Sequence, residues 1–125
     1  MNYRDEYRNS IDAKEEFWRE KSKDLPWIKE PTQTLTVRAD GFPSWFDGGL
    51  LNTSYACLDH HVDAGRGDQQ ALIYDSPVTN TIETYSYSEL LNRVARVAGS
   101  LQKLGVIQGA VVIIYMPMIP EAVIS

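Results

Sequence analysis

The sequence is short of cysteine, of positive charge and of long apolar runs, and each shortage removes a class of protein. Cys57 is the single cysteine. It cannot form an internal disulfide, which excludes a disulfide-stapled scaffold and predicts a reducing, cytoplasmic setting. Twelve Lys and Arg stand against 17 Asp and Glu, a net charge of -5. That balance predicts neither nucleic acid nor an anionic membrane as partner, since both require a basic surface. No apolar run approaches the length of a membrane-spanning helix. The first twenty residues are dense in Arg, Asp, Glu and Lys, unlike a signal peptide. Also missing is any G-x-x-x-x-G-K-[ST] or comparable Gly/Ser/Thr-rich run. What remains is a 125-residue chain, 43% apolar and 23% charged, a composition that fits a globular domain with a core of its own.

Residues 1–30 read as a charged helix followed by an extended leader. Ser10 or Asp12 is a candidate cap, and Asp12 with Glu15 has capping-box spacing. The apolar residues Ile11, Phe17, Trp18, Leu25 and Trp27 make a narrow stripe, as on a helix that lies against a larger body. Pro26 and Pro31 keep the next segment extended. In LTVRADGFPSWFDGG, a short strand is expected at Leu35–Val37, then a loop in which Phe42, Trp45 and Phe46 act as anchors. Gly48 and Gly49 mark a tight turn or hinge. A second helix is expected over 52–64, capped by Asn52 or Ser54. It places Tyr55, Leu58 and Val62 on one face and ends at Gly65 or Gly67.

From Gln70 onwards the pattern changes. ALIY (71–74) and TIETY (81–85) are short strand signals around the turn residues of SPVTN, a hairpin. Ser86 and Glu89 form an S-x-x-E capping box. Leu90, Val94, Val97, Ala98, Leu101 and Leu104 then repeat at helical spacing, and Gly105 closes the helix. AVVIIY (110–115) is a continuous apolar run of the kind found in a parallel strand covered on both faces. Pro120 and Glu121 read as the first turn of one more helix. Helix, buried strand and helix start predict an α/β fold that is incomplete in this chain, cut inside a helix.

Several motifs invite functional readings, and each has a plainer one. Cys57 and His61 are four apart, the spacing of one helix face, and a thiol beside an imidazole is a nucleophile–base pair in principle. With no third orienting group in view, a small buried cysteine beside a surface histidine is the better reading. DHHVD (59–63) offers metal-ligating types, but adjacent His60 and His61 diverge by about 100° on a helix, so a solvated helix end is preferred. RGD at 66–68 reads as a turn after a helix rather than an adhesion signal. NTS (52–54) reads as a helix cap rather than a glycosylation site. The rings of Phe42, Trp45 and Phe46 read as packing contacts rather than a base-stacking platform.

Three stretches carry a family resemblance: WFDGGLLNTSYACLDHHVDAGRGDQQALIYDSPVTNT (45–81), TYSYSELLNRVARVAGSLQKLGV (84–106) and VVIIYMPMIPEAVIS (111–125). They resemble the amino-terminal part of AMP-forming acyl-CoA synthetases of the acetyl-CoA and propionyl-CoA branch. YMPMIPEA (115–122) is the most specific of them. IYDSPVTNT (73–81) resembles the propionyl enzymes, and EEFW (15–18) with Trp45 and Phe46 resembles the leader of this branch. Ala110 departs from the family, which usually carries Asp there, at a position that shapes a turn.

The resemblance implies a fold and division of the chain: residues 1–65 as a helical amino-terminal region, and 66–125 as the first helix–strand elements of an adenylate-forming (AMP-binding) domain. It implies, for a full-length parent, activation of propionate or acetate with ATP and Mg²⁺ to an acyl-adenylate, then transfer to CoA. It carries no catalytic, cofactor-binding or metal-ligating residue onto these 125 positions, because the family's phosphate loop, ribose carboxylate, acyl pocket and lysine lie downstream. The chain alone is expected to be structural and inactive, with the remainder of the synthetase as its partner and self-association as the cost of bare apolar surface. The competing expectation is a free-standing interaction module derived from such an enzyme.

Overall fold

The computed structural model describes residues 2–125. The chain divides into two compact units, one ending at Ala56 and one from Cys57 to Ser125.

The first unit opens with α1 (Tyr3–Asp12) and α2 (Lys14–Ser22). The expected single helix is broken at Ala13, whose φ of -111° and ψ of 43° leave the helical region. Neither Ser10 nor Asp12 is the cap. Asn2 caps α1, its side chain accepting from the Asp5 N–H at 3.1 Å, and α2 has no side-chain cap. The leader is not extended throughout: it bends at Leu25, Ile28 and Thr32, and the Trp27 N–H bonds to Leu25 O across Pro26 at 2.9 Å. It bonds to the chain beyond the hairpin through Ile28 N–H to Leu50 O and Leu50 N–H to Lys29 O, each 2.9 Å.

The strand expected at Leu35–Val37 is β1 (Gln33–Val37). Its partner was not expected. The aromatic segment is β2 (Pro43–Asp47), antiparallel to β1 with Leu35 opposite Trp45, rather than a loop. Pro43 sits at the first position of the strand, where no ladder bond is lost, and Phe46, with φ 57°, departs from the strand path. Five rings form a chain through this unit: Phe17 to Trp18, Trp18 to Trp45, Trp45 to Phe46, Phe46 to Trp27, with centroids 5.1 to 6.4 Å apart. Phe42 stands outside that chain, exposed at the hairpin tip. Gly48 turns with φ +76°, and a Cβ at Gly49 would lie 2.9 Å from the Trp27 ring. The glycine pair is a tight turn closed by close approach of an indole.

The first unit closes with α3 (Thr53–Cys57), whose last residue, Cys57, opens the second; there α4 (Asp59–His61) is followed by a single π-turn (Val62–Arg66). The helix expected over 52–64 is interrupted at Leu58, with φ -127° and ψ -71°. The break turns Leu58 into the core. Gly65, with φ +77°, kinks the chain inside the π-turn, which runs on to Arg66. The hairpin is present as β3 (Gln70–Ser76) and β4 (Thr81–Ser86), antiparallel, with Ser76 opposite Thr81. Helix α5 (Tyr87–Lys103) follows without a gap. It ends in a Schellman motif: Gly105 has φ +84°, and its N–H and that of Val106 bond to Gln102 O and Leu101 O at 3.0 and 3.1 Å, as the motif requires. Helix α6 (Pro120–Ile124) has proline in its first turn. Buried Leu58, Leu90 and Ile124 form the core, ringed by Ala71, Leu72, Tyr87, Leu91, Val94 and Val97.

AVVIIY is where expectation and structure part. Residues 110–116 are extended but belong to no sheet among the described residues, and both sheets are two-stranded and antiparallel. Val111, Ile113 and Tyr115 are 85 to 97% exposed, whereas Val112, Ile114 and Met116 are 46 to 51% exposed. That alternation is the period of a strand. A strand ladder needs a neighbour for its N–H and C=O groups, and no described strand lies beside this one.

Candidate functional site

The richest cluster of chemistry-bearing groups lies where the 57–69 segment meets the start of α5. Ser86 caps α5. Its hydroxyl accepts from the Glu89 N–H at 3.3 Å, and its own N–H donates to the Glu89 carboxylate at 2.8 Å. The bond from the Ser86 N–H, helped by the Ser86 hydroxyl, holds the Glu89 carboxyl below the usual carboxylate range. The Tyr87 and Ser88 N–H groups bond to Gln69 O and Gly67 O, each at 3.0 Å. The first three N–H groups of α5 are therefore all taken, and a carboxylate sits at the positive end of the dipole. A phosphate-binding helix terminus needs free donors and no competing anion. This one does not fit a nucleotide phosphate. Replacing Ser86 by Ala removes the box and is expected to cost about 1 kcal/mol, read as a lower urea midpoint of the helical signal.

Beside the cap, an open groove of about 720 Å³ is lined by Glu83, Tyr85, Ser88, Asn92, Arg93 and Arg96, among others. Tyr85 is buried, its hydroxyl donates to the Glu83 carboxylate, and the Arg93 guanidinium lies 4.4 Å over its ring. The bond to Glu83, helped by burial, raises the phenol above its ordinary pKa. Sequence reading missed this trio. Glu83 and Tyr85 are two apart on β4 and so share a face, but bringing Arg93 over the ring requires the sharp passage from β4 into α5. The groove offers both signs of charge and no nucleophile–base pair.

The motifs singled out from sequence fall as follows. Cys57 is exposed and His61 half-buried, the reverse of the expected pairing of buried thiol and surface imidazole. The break at Leu58 separates them onto α3 and α4, so the four-residue spacing no longer defines one helix face. His60 and His61 are half-buried rather than a solvated helix end. Their rings are 5.7 Å apart, and the His61 ring packs 4.6 Å from that of Tyr87. Among the described residues, no group of three or more His, Cys, Asp or Glu is placed to hold a metal ion. Arg66 closes the π-turn with its guanidinium on His61 Nδ1, so the arginine of RGD is engaged internally. Asn52 is the cap of α3, its side chain accepting from the Tyr55 N–H at 3.1 Å. Trp45 and Phe46 pack on other rings.

Comparison with known proteins gives this architecture a family. Residues 3–57 match the family model described as the acetyl-coenzyme A synthetase N-terminus. Residues 58–125 match the model described as AMP-binding enzyme. The chain belongs to the AMP-binding enzyme family, in its acetyl-CoA synthetase branch. Among its relatives is an uncharacterized protein of Pseudomonas aeruginosa, 46% identical over all of this chain and 20% of that protein. The mitochondrial acyl-CoA synthetase short-chain family member 3 of Bos taurus is 45% identical over 96% of this chain and 18% of its own. The acetyl-coenzyme A synthetase of Deinococcus radiodurans is 40% identical over 98% and 19%. Among solved structures, the acetoacetyl-CoA synthetase from Streptomyces lividans superposes with a TM-score of 0.83 at 30% identity, covering 99% of this chain and 19% of that one. This AMP-binding family member thus spans about a fifth of the length of the relatives it matches.

Proposed function

We propose that this chain is the amino-terminal portion of a short-chain acyl-CoA synthetase, an acid–thiol ligase. The parent reaction joins a carboxylate, propionate or acetate, to ATP. It forms an acyl-adenylate with release of pyrophosphate, then transfers the acyl group to the CoA thiol with release of AMP. The supporting observation is the end-to-end match to two consecutive family models, 3–57 and 58–125, at 40 to 46% identity to synthetases and their relatives. We place residues 1–65 as the leader and 66–125 as the opening of the adenylation domain. The division is drawn at Gly65, whose positive φ kinks the π-turn; the family models meet earlier, between residues 57 and 58. The role of these residues is structural. None of them is assigned to ATP, Mg²⁺ or CoA, because in the family the phosphate loop, ribose carboxylate, acyl pocket and lysine lie downstream of these positions.

A preference for propionate over acetate rests on IYDSPVTNT (73–81), which forms the β3–β4 turn and the adjoining strand ends. A cytoplasmic location rests on the lone free thiol, Cys57. The deciding experiment is to read the coding sequence past Ser125, express the complete product and measure carboxylate-dependent exchange of pyrophosphate into ATP. Exchange supported by propionate at least as well as by acetate is expected. The 125-residue chain alone is expected to give no heat with ATP in calorimetry. A complete product that shows no carboxylate-dependent exchange overturns the reading and favours an interaction module.

A further inference from the structure

The π-turn that carries Arg66 is fastened to α5 in two ways. Backbone bonds run from the Ser88 N–H to Gly67 O and from the Tyr87 N–H to Gln69 O, each 3.0 Å. The second fastening is a stack of side chains: the Arg66 guanidinium on His61 Nδ1, and the His61 ring on the Tyr87 ring of α5. A guanidinium has only N–H donors and stays charged throughout the ordinary pH range. Nδ1 of His61 must therefore be the acceptor, which fixes the ring as neutral with its proton on Nε2.

We propose that His61 and Arg66 form an acid-released latch that holds the 62–69 turn against the start of α5. Protonation places a proton on Nδ1. The former acceptor becomes a donor facing a donor, and two cations meet across the contact. Arg66 must leave, and the imidazolium keeps only its cation–π contact with the Tyr87 ring of α5. The charged and titratable groups that disfavour its charge are His60 on α4 and Arg66 on the π-turn. Burial first, then Arg66 and His60, holds the imidazole below its ordinary pKa.

The sign follows from linkage. The folded chain binds its proton more weakly than the unfolded chain, so stability from the latch is present above the ordinary histidine value of 6.5. It is lost as pH falls from there through the lower folded value. The backbone bonds are then the remaining fastening and open more often, so the expected event is local loosening of the turn, not unfolding of the unit. The inference concerns this turn alone and does not depend on which carboxylate the parent activates.

The test is a histidine NMR titration of the full 125-residue chain, with amide exchange at Gln69, Tyr87 and Ser88 read at each pH. In the parent sequence, His61 is expected to titrate below an ordinary histidine, and the three amides to lose protection in the same range after correction for intrinsic exchange. Arg66→Gln is expected to raise the His61 midpoint. His61→Phe keeps a ring on Tyr87 and is expected to abolish the pH dependence of protection. A His61 midpoint unmoved by Arg66→Gln overturns the latch. So does protection that stays level across the His61 titration, or that still falls with acid in His61→Phe.

Discussion

Replacing Leu90 by Ala is expected to melt the helical signal of α5 at markedly lower urea. Leu90 is 5% exposed, and with Leu58 and Ile124 it makes up the buried apolar core of the second unit. A buried Leu-to-Ala change costs 2 to 5 kcal/mol in a packed core, depending on how far the site collapses. Here the surrounding Leu91, Val94 and Val97 are only half-buried and free to close in, which points to the lower part of that range, about 2 to 3 kcal/mol. Even so, the unit has no side chain less than 2% exposed, so the stability being drawn on is small and the loss should be nearly total. All three tryptophans, Trp18, Trp27 and Trp45, lie in the other unit. Far-ultraviolet circular dichroism sums α1, α2 and α5, whereas tryptophan emission reports the first unit alone, so helical signal lost at an unchanged emission midpoint is the part that belongs to α5. A Leu90→Ala variant whose helical midpoint matches the parent would show that α5 is held by its cap and propensity rather than by this core.

The elements legible in the sequence are those whose cause is local. The capping box at Ser86 and Glu89, the Asn52 cap, the β3–β4 turn, Gly105 and the proline opening α6 each depend on residues within one turn of chain. The breaks were not legible. Nothing near Ala13 or Leu58 forbids a helix, and Leu58 leaves helical geometry because its side chain is drawn to Leu90 and Ile124, which lie far along the chain. The pairing of β2 with β1 was missed because glycine and proline around Phe42 gave the segment the composition of a loop. The exposure of Cys57 follows from the same break at Leu58. As for the candidate site, its carboxylates and arginines could be read off, but the stacking of Arg93 on Tyr85 and of His61 on Tyr87 depends on the angle between β4 and α5.

Changing Ile113 to Lys is expected to have opposite effects on this chain and on the complete gene product. In the chain of 125 residues, the 110–116 segment is extended, β-branched and bare on one face. The nearest charges are Lys103 and Glu121. Unpaired strand backbone beside apolar side chains, with no charge to interrupt it, is a template for association. Sedimentation is expected to show concentration-dependent oligomers for the parent sequence and a shift towards monomer for Ile113→Lys. Val78→Lys, at an equally exposed position on the β3–β4 turn, serves as control and should change nothing. In the complete synthetase proposed above, a run of this character belongs inside a sheet covered on both faces. A lysine there would bury an unpaired charge, at a cost of several kcal/mol, so the same substitution should depress the yield of folded enzyme. Improved solubility of the short chain together with loss of the long one is the pattern that a buried strand requires. Improvement in both would mean that the segment is a surface strand in the complete protein too, and the interaction-module reading would take precedence.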